Sequence, residues 1–201
     1  MSINRDHIEI RVLKTASERN AAIPALAALR REIFREWPYL YEGSMAYEQA
    51  YLTEFITEAH SVLVVARDQG EVVGASTASP MKGQKAAFKQ PFIDRGIDID
   101  RLFYFGESVL MPEYRGLGIG HAFFDAREAA ARDFGADASC FCAVVRPDDH
   151  PKRPEMERDL KPFWRHRGYE KVDGLICQFD WTDIGEPQET SHPMQFWMRR
   201  L

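Results

Sequence analysis

The chain has 201 residues, of which 45% are hydrophobic and 28% are charged, and its formal net charge is −5. A chain of this length can bury one substantial core, and this balance is typical of a water-soluble globular protein. The acidic charge and the lack of a basic block argue against nucleic-acid binding. No apolar run approaches the length of a membrane span, and residues 1–20 lack the apolar segment of a signal peptide, so we expect a cytoplasmic protein.

The three cysteines of the chain do not follow the spacing of a zinc site. Cys140 and Cys142 lie two positions apart on a predicted strand and therefore share one face of it, while Cys177 stands alone. We expect Cys140 and Cys142 to be small, reduced core residues, and we predict no bound metal ion.

Hydrophobic periodicity predicts the elements of the N-terminal half. In chain order they are a strand over 7–14, a helix from Pro24 to Pro38, a second helix around 47–55, strands over 61–67 and 71–78, and a surface loop over 80–100. The predicted strands show alternation or short apolar runs, whereas the helices carry apolar residues three or four positions apart. Gly70 lies in the turn between the two adjacent strands and makes them a β-hairpin.

The same patterns predict the C-terminal half. The elements are a strand over 102–111, a helix over 119–134, a strand over 137–145, a charged loop over 146–154, a helix over about 155–167, strands over 169–173 and 175–182, and an irregular segment over 185–201. A helix that connects the strands at 102–111 and 137–145 makes those strands parallel. Phe196 and Trp197 in the last segment are expected either to dock on their own domain or to form a homodimer contact.

The most informative segment lies between the strand at 102–111 and the helix that follows it. Its sequence is Arg115-Gly116-Leu117-Gly118-Ile119-Gly120, followed by His121. A glycine-rich turn that begins a helix leaves backbone N–H groups unpaired at the positive end of the helix dipole. Such groups bind phosphate, and glycine allows a phosphate to approach the backbone closely. We expect Arg115 to add a positive charge, and His121 to lie in the first helical turn.

Two common phosphate motifs fit this segment poorly. A P-loop requires Gly-Lys followed by Ser or Thr, but Gly120 is followed by His121. A dinucleotide fold has the spacing G-x-G-x-x-G in an early βαβ unit, whereas the spacing here is G-x-G-x-G beyond the middle of the chain. A third motif, Arg/Gln-x-x-Gly-x-Gly/Ala, is matched in full by Arg115, Gly118 and Gly120.

This motif and its lead-in at 111–114 resemble those of the GCN5-related N-acetyltransferases (GNATs), and 163–169 resembles a second motif of that family. The resemblance implies a mixed α/β fold with a mostly antiparallel central sheet flanked by helices and a parallel strand pair splayed around the CoA site. It also implies one domain over 1–201, with its core at about 7–182. The expected reaction transfers an acetyl group from acetyl-CoA to a primary amine of a small molecule or protein, by direct attack in a ternary complex.

The resemblance also assigns site residues. The turn from Arg115 to Gly120 would hold the pyrophosphate, and the main chain of Val109 and Leu110 would pair with the pantetheine arm. A backbone N–H of this strand would stabilise the oxyanion of the thioester. These assignments make the turn and the end of the preceding strand the predicted cofactor site.

Glu107 is the predicted base, acting through water; the alternative is that it pairs with a neighbouring arginine or caps the end of the strand. The family often supplies the leaving thiolate with a proton from a tyrosine, but Trp164 occupies that position. Tyr104, Tyr169 and His166 are possible substitutes. Tyr104 and Glu107 face opposite sides of a regular strand unless a bulge intervenes. The departure at Trp164 also leaves open a catalytically silent CoA-binding module. Residues 148–150 are interpreted as a charged rim loop rather than a metal cluster.

Overall fold

The computed structural model describes residues 5–201, which form a seven-stranded sheet with helices on both faces. The strands are β1 (Ile8–Val12), β2 (Val62–Asp68), β3 (Glu71–Pro80), β4 (Leu102–Leu110), β5 (Ala138–Val144), β6 (Glu170–Trp181) and β7 (Thr190–Arg200). The helices are α1 (Ala16–Ile33), α2 (Met45–Thr57), α3 (Ala86–Ile93), α4 (Ile119–Phe134) and α5 (Lys161–His166). Within these described residues, no helix has the length and apolar content needed to cross a membrane.

The strand order is β1-β2-β3-β4-β5-β7-β6, and every neighbouring pair is antiparallel except β4 and β5. The parallel pairing covers only Leu102–Tyr104 against Ala138–Cys140. Beyond these residues the two strands separate while β5 remains paired with β7. The predicted fold class, a mostly antiparallel sheet with one splayed parallel pair, is confirmed.

Helix α4 covers one face of the sheet and is bounded by glycine at both ends. Gly118 is its N-cap with φ of 82°, and Gly135 is its C-cap with φ of 85°. Both values lie in the left-handed region that glycine adopts at little cost. Ile119 and Phe123 of α4 are buried against β2, β3 and β4, as their helical spacing predicts.

Helix α1 begins earlier than predicted. Thr15 caps it, accepting a hydrogen bond from the Glu18 amide, and the Glu18 carboxylate accepts one from the Thr15 amide. This reciprocal capping box satisfies two amides at the helix start. Pro24, predicted to begin the helix, lies inside it. With α2, α1 covers the face of the sheet opposite α4.

Two other predicted segments, 80–100 and 155–167, differ from the observed structure. The loop predicted over 80–100 contains α3, whose Phe92 is fully buried. The helix predicted over 155–167 is confined to Lys161–His166, because the preceding residues have no apolar face to bury and Met156 is 93% exposed.

The C-terminal segment predicted to be irregular is largely strand β7, which lies between β5 and β6. Phe196 and Trp197 are buried in the core of their own chain. Of the two arrangements expected for them, this is docking on their own domain. The two strands predicted over 169–182 form a single strand, β6, with an irregularity between Lys171 and Ile176.

Candidate active site

The separation of β4 from β5 exposes the middle of a central strand. Ser108 is exposed, and Gly106 and Glu107 are partly accessible, although residues on both sides of them are buried. A central strand is normally covered on both faces and paired along both edges. The accessibility at 106–108 therefore marks a cleft whose far wall is the end of β5.

A β-bulge in β4 reorients the side chains of this cleft. Ser108 pairs with Ser76 and Phe105 with Ala78, so Gly106 and Glu107 together oppose the single residue Thr77. The Glu107 amide is satisfied by the Thr77 hydroxyl at 3.2 Å. Such an extra residue shifts the alternation of side chains along the strand.

The bulge brings Tyr104 and Glu107 to the same face of the sheet. Phe103 and Phe105 pack on the α4 side, so Tyr104 points to the other side. Val109 packs with α1 on that other side, and Glu107, two positions earlier, faces the same way. The bulge that would allow Tyr104 and Glu107 to share a face is therefore present in β4.

Glu107 pairs with a buried arginine, as the alternative sequence interpretation expected. Its Oε2 lies 2.7 Å from Nη1 of Arg30, whose Nε lies 2.5 Å from Oε2 of Glu48. Burial alone would lower the pKa of Arg30, but the charge of Glu107 and the neighbouring acidic groups raises that pKa above its usual value. One guanidinium faces two carboxylates, so the cluster carries a surplus of one negative charge.

A second buried arginine supports the bulge from the α4 side. Arg127 is only 2% exposed, and its Nη1 donates to the Glu107 carbonyl at 3.2 Å. Its guanidinium lies over the rings of Phe105 and Phe124, at 4.5 and 4.7 Å from the centroids. Burial lowers the pKa of Arg127 to about 10, so it remains a cation at neutral pH directly behind the bulge.

Tyr104 is enclosed beneath the cleft. Its hydroxyl lies 3.1 Å from Sγ of Cys142, and its ring packs on Phe88 of α3 at a centroid distance of 5.2 Å. Burial raises the pKa of Tyr104 well above its usual value, so the hydroxyl stays protonated at neutral pH. Cys140, Cys142 and Cys177 are buried and unpaired, as expected for core thiols.

The glycine turn presents its backbone at the start of α4. Gly116 and Gly118 have φ of 86° and 82°, and the first helical bond joins the Ala122 amide to the Gly118 carbonyl. The amides of Ile119, Gly120 and His121 therefore precede the first intrahelical donor and have no helical partner. These three amides are available to an anion at the start of α4.

The side chain of Arg115 is occupied outside the turn. Its Nη2 lies 2.7 Å from Oε2 of Glu36, and its Nε donates to the Leu110 carbonyl at 3.2 Å. The carboxylate of Glu36 thus pairs with the guanidinium that was expected to face the phosphate. In this arrangement Arg115 connects the turn to the end of β4.

The main-chain N–H and C=O groups of Val109 and Leu110 point to opposite edges of β4. The Met111 amide donates to the Val73 carbonyl of β3, so Val109, two positions earlier, also faces β3. Leu110 faces the other way, and its carbonyl meets Arg115 on the side of the cleft. Of the two residues predicted to pair with pantetheine, Leu110 presents its main chain to the cleft.

His121 lies in the first turn of α4 and contacts the second motif. His121 packs edge-on against Phe163 at 4.9 Å, and with His166 and Arg167 it lines a charged cavity of about 330 Å³. Trp164 packs between Phe141 and Trp197, with centroid distances of 5.0 and 5.1 Å. Trp164 is thus a packing residue.

The loop at 146–160 forms a rim held by ion pairs. Asp148 pairs with Arg153 at 2.9 Å, and His150 packs against Trp37 at 5.2 Å. Among the side chains that the structure describes, no group of His, Cys, Asp and Glu is arranged to hold a metal ion. The interpretation of 148–150 as a charged rim agrees with these contacts.

The functional residues missed by the sequence analysis carry charge on buried faces. Arg30 lies four positions after Leu26 on the apolar stripe of α1, and Glu48 lies four positions before Leu52 of α2. A charged residue within an apolar stripe is a signal that could have identified both.

A family model described as the acetyltransferase (GNAT) family matches residues 26–161. The chain therefore belongs to the GNAT family, and its expected membership is confirmed. No curated protein gives a significant sequence match.

Solved structures share the fold at low sequence identity. A ribosomal-protein-alanine N-acetyltransferase from Brucella melitensis is 14% identical, with a TM-score of 0.61 over 96% of this chain and 99% of that chain. A GCN5-related N-acetyltransferase from Kribbella flavida is 15% identical, with a TM-score of 0.61 over 98% and 100%. The yncA structure from Salmonella typhimurium, which contains acetyl-CoA, is 11% identical, with a TM-score of 0.59 over 97% and 94%.

Proposed function

We propose that this GNAT-family acetyltransferase transfers the acetyl group of acetyl-CoA to a primary amine by direct attack within a ternary complex. The observation that carries the proposal is the accessible stretch at 106–108 of β4, which leads directly to the glycine turn at the start of α4. A thioester cofactor can lie along the unpaired strand edge while its diphosphate meets the turn. The acceptor would be a small molecule or a protein amine, and no metal is required.

The main chain supplies the groups that bind and polarise the cofactor. Amides in the turn at 116–121 hold the diphosphate, and the cleft-facing main chain of Leu110 pairs with pantetheine. By alternation, the amide of Ser108 also faces the cleft, and it can stabilise the oxyanion that forms when the amine attacks. The nearby cationic Arg127 adds a favourable field behind the bulge.

Glu107 is proposed to accept the proton that the amine must lose. Its side chain is 8% exposed and has one oxygen on Arg30, so water can relay the proton to it. The surplus negative charge of its cluster also favours the approach of a cationic amine. For the departing thiolate, Tyr104 is proposed as a hydrogen-bond donor, since its raised pKa disfavours full proton transfer.

The function is tested by CoA binding and by thiol release from acetyl-CoA across a panel of amines. We expect CoA to bind by isothermal titration and thiol release to depend on the amine supplied. Binding without release on any amine would instead support the catalytically silent module suggested by Trp164. Absence of CoA binding would contradict the cofactor site itself.

Glu107→Gln is expected to lower kcat by about 100-fold or more, since general-base catalysis contributes roughly 10²–10⁴-fold. Glutamine keeps the size of the side chain and a polar group beside Arg30, so CoA affinity should be unchanged. Glu71→Gln, at an exposed position of the neighbouring strand β3, is the control and should keep full activity. A kcat for Glu107→Gln within twofold of the unsubstituted protein would assign Glu107 a purely structural pairing role.

A further inference from the structure

A basic side chain from the N-terminal segment lies over the glycine turn. Arg5 precedes β1, and an ideal Cβ placed on Gly118 would lie 3.1 Å from its Nη2 and 3.3 Å from its Cζ. Arg5 also lines, with Ile8 and Leu117 among others, a cavity of about 190 Å³ at the start of α4. The guanidinium is therefore beside the row of unpaired amides that begins the helix.

The ion pairs of the arginines near the turn indicate a role for Arg5. Arg115, the arginine of the sequence motif, has its guanidinium on the carboxylate of Glu36. Arg5 pairs with no carboxylate among the side chains that the structure describes. A diphosphate in the turn would therefore meet in Arg5 a guanidinium that has no carboxylate partner among the described side chains.

We propose that Arg5 is a ligand of the CoA diphosphate. A guanidinium offers parallel N–H donors that match two phosphate oxygens, and a charge-assisted pair of this kind is stronger than a neutral hydrogen bond. Arg5 would cover the phosphate from the side of β1 while the amides at 119–121 hold it from below. The proposal rests on the proposed function, because it assigns a ligand to the same cofactor site.

The test compares Arg5→Gln with Arg11→Gln by isothermal titration. Arg11 lies on the adjoining strand β1 and pairs with Glu18, away from the turn, so it controls for the loss of one surface arginine. The ligands are CoA, 3′-dephospho-CoA and pantetheine, the last measured by its displacement of CoA. Comparison of the three ligands separates the contribution of the diphosphate to affinity from the contributions of the 3′-phosphate and of the phosphate-free pantetheine arm.

Arg5→Gln is expected to lower the affinity for CoA and for 3′-dephospho-CoA by about tenfold each, as for the loss of one hydrogen bond to a charged group. Pantetheine affinity should be unchanged, and Arg11→Gln should match the unsubstituted protein on all three ligands. An unchanged affinity for CoA would overturn the proposal, as would a loss confined to CoA or a loss shared by pantetheine. Failure of the unsubstituted protein to bind CoA would refute the proposed function before any variant is compared.

Discussion

Gly118→Val is expected to weaken CoA binding by about 10- to 100-fold, whereas Gly135→Val should leave it unchanged. The two glycines cap opposite ends of α4 with nearly equal φ values of 82° and 85°. A side chain with left-handed backbone costs roughly 1–2 kcal/mol at either position. Comparison of the two variants therefore separates the cost of backbone strain in α4 from the effect on CoA binding.

The difference arises from what surrounds each glycine. A Cβ on Gly118 would face Arg5, whereas one on Gly135 would have no neighbour within 4 Å. At Gly118 the added methyl groups would enter the space that a phosphate needs in order to reach the amides of the turn. Isothermal titration gives the affinities, and thermal melting shows whether the two variants lose similar stability. Equal affinities for CoA in the two variants would contradict placement of the diphosphate in the turn.

Arg30→Met is expected to lower the free energy of unfolding by about 3–5 kcal/mol, because it leaves two buried carboxylates without their cation. The side chain of Glu48 is 0% exposed, so water cannot replace its lost partner. Arg35→Met is the matched control. It removes the arginine of an Arg35–Glu42 pair whose side chains are 42% and 44% exposed, and such pairs contribute about 1 kcal/mol or less.

A double-mutant cycle identifies the source of the loss. Arg30→Met combined with Glu48→Gln should be less destabilised than the sum of the single variants, because one uncompensated carboxylate is then neutral. Denaturation by urea measures each free energy. Strict additivity, or a loss for Arg30→Met no larger than for Arg35→Met, would show that the buried cluster does not hold α1 and α2 on the sheet. The fraction of Arg30→Met protein that remains folded should still bind CoA, since Arg30 is in α1 and the glycine turn lies at the start of α4.

Much of the fold could be predicted because its determinants are local. Gly118 and Gly135 mark both ends of α4, and the apolar stripe between them has helical spacing. The β2–β3 hairpin follows from two apolar runs joined at Gly70. These signals depend on neighbouring residues alone, so they survive in the sequence without knowledge of the tertiary structure.

Strand β7 could not be predicted in the same way. It is inserted between β5 and β6 and is buried by residues from distant parts of the chain, so it lacks the alternation of a strand with one exposed face. Helix α3 is short and contains Pro91, and its stability depends on packing by Phe92 in the core. In both cases burial against remote elements outweighs weak local preference.

The sequence by itself determined the glycine turn, the strand that leads to it and the family to which the chain belongs, because glycine positions and apolar spacing are local properties. Only the tertiary structure decided the charges around that turn and cleft. It brings Arg5 to Gly118, pairs Arg115 with Glu36 and brings Arg30 to Glu107. These contacts join residues far apart in the chain, and an ion pair depends on distances in space that no sequence spacing specifies.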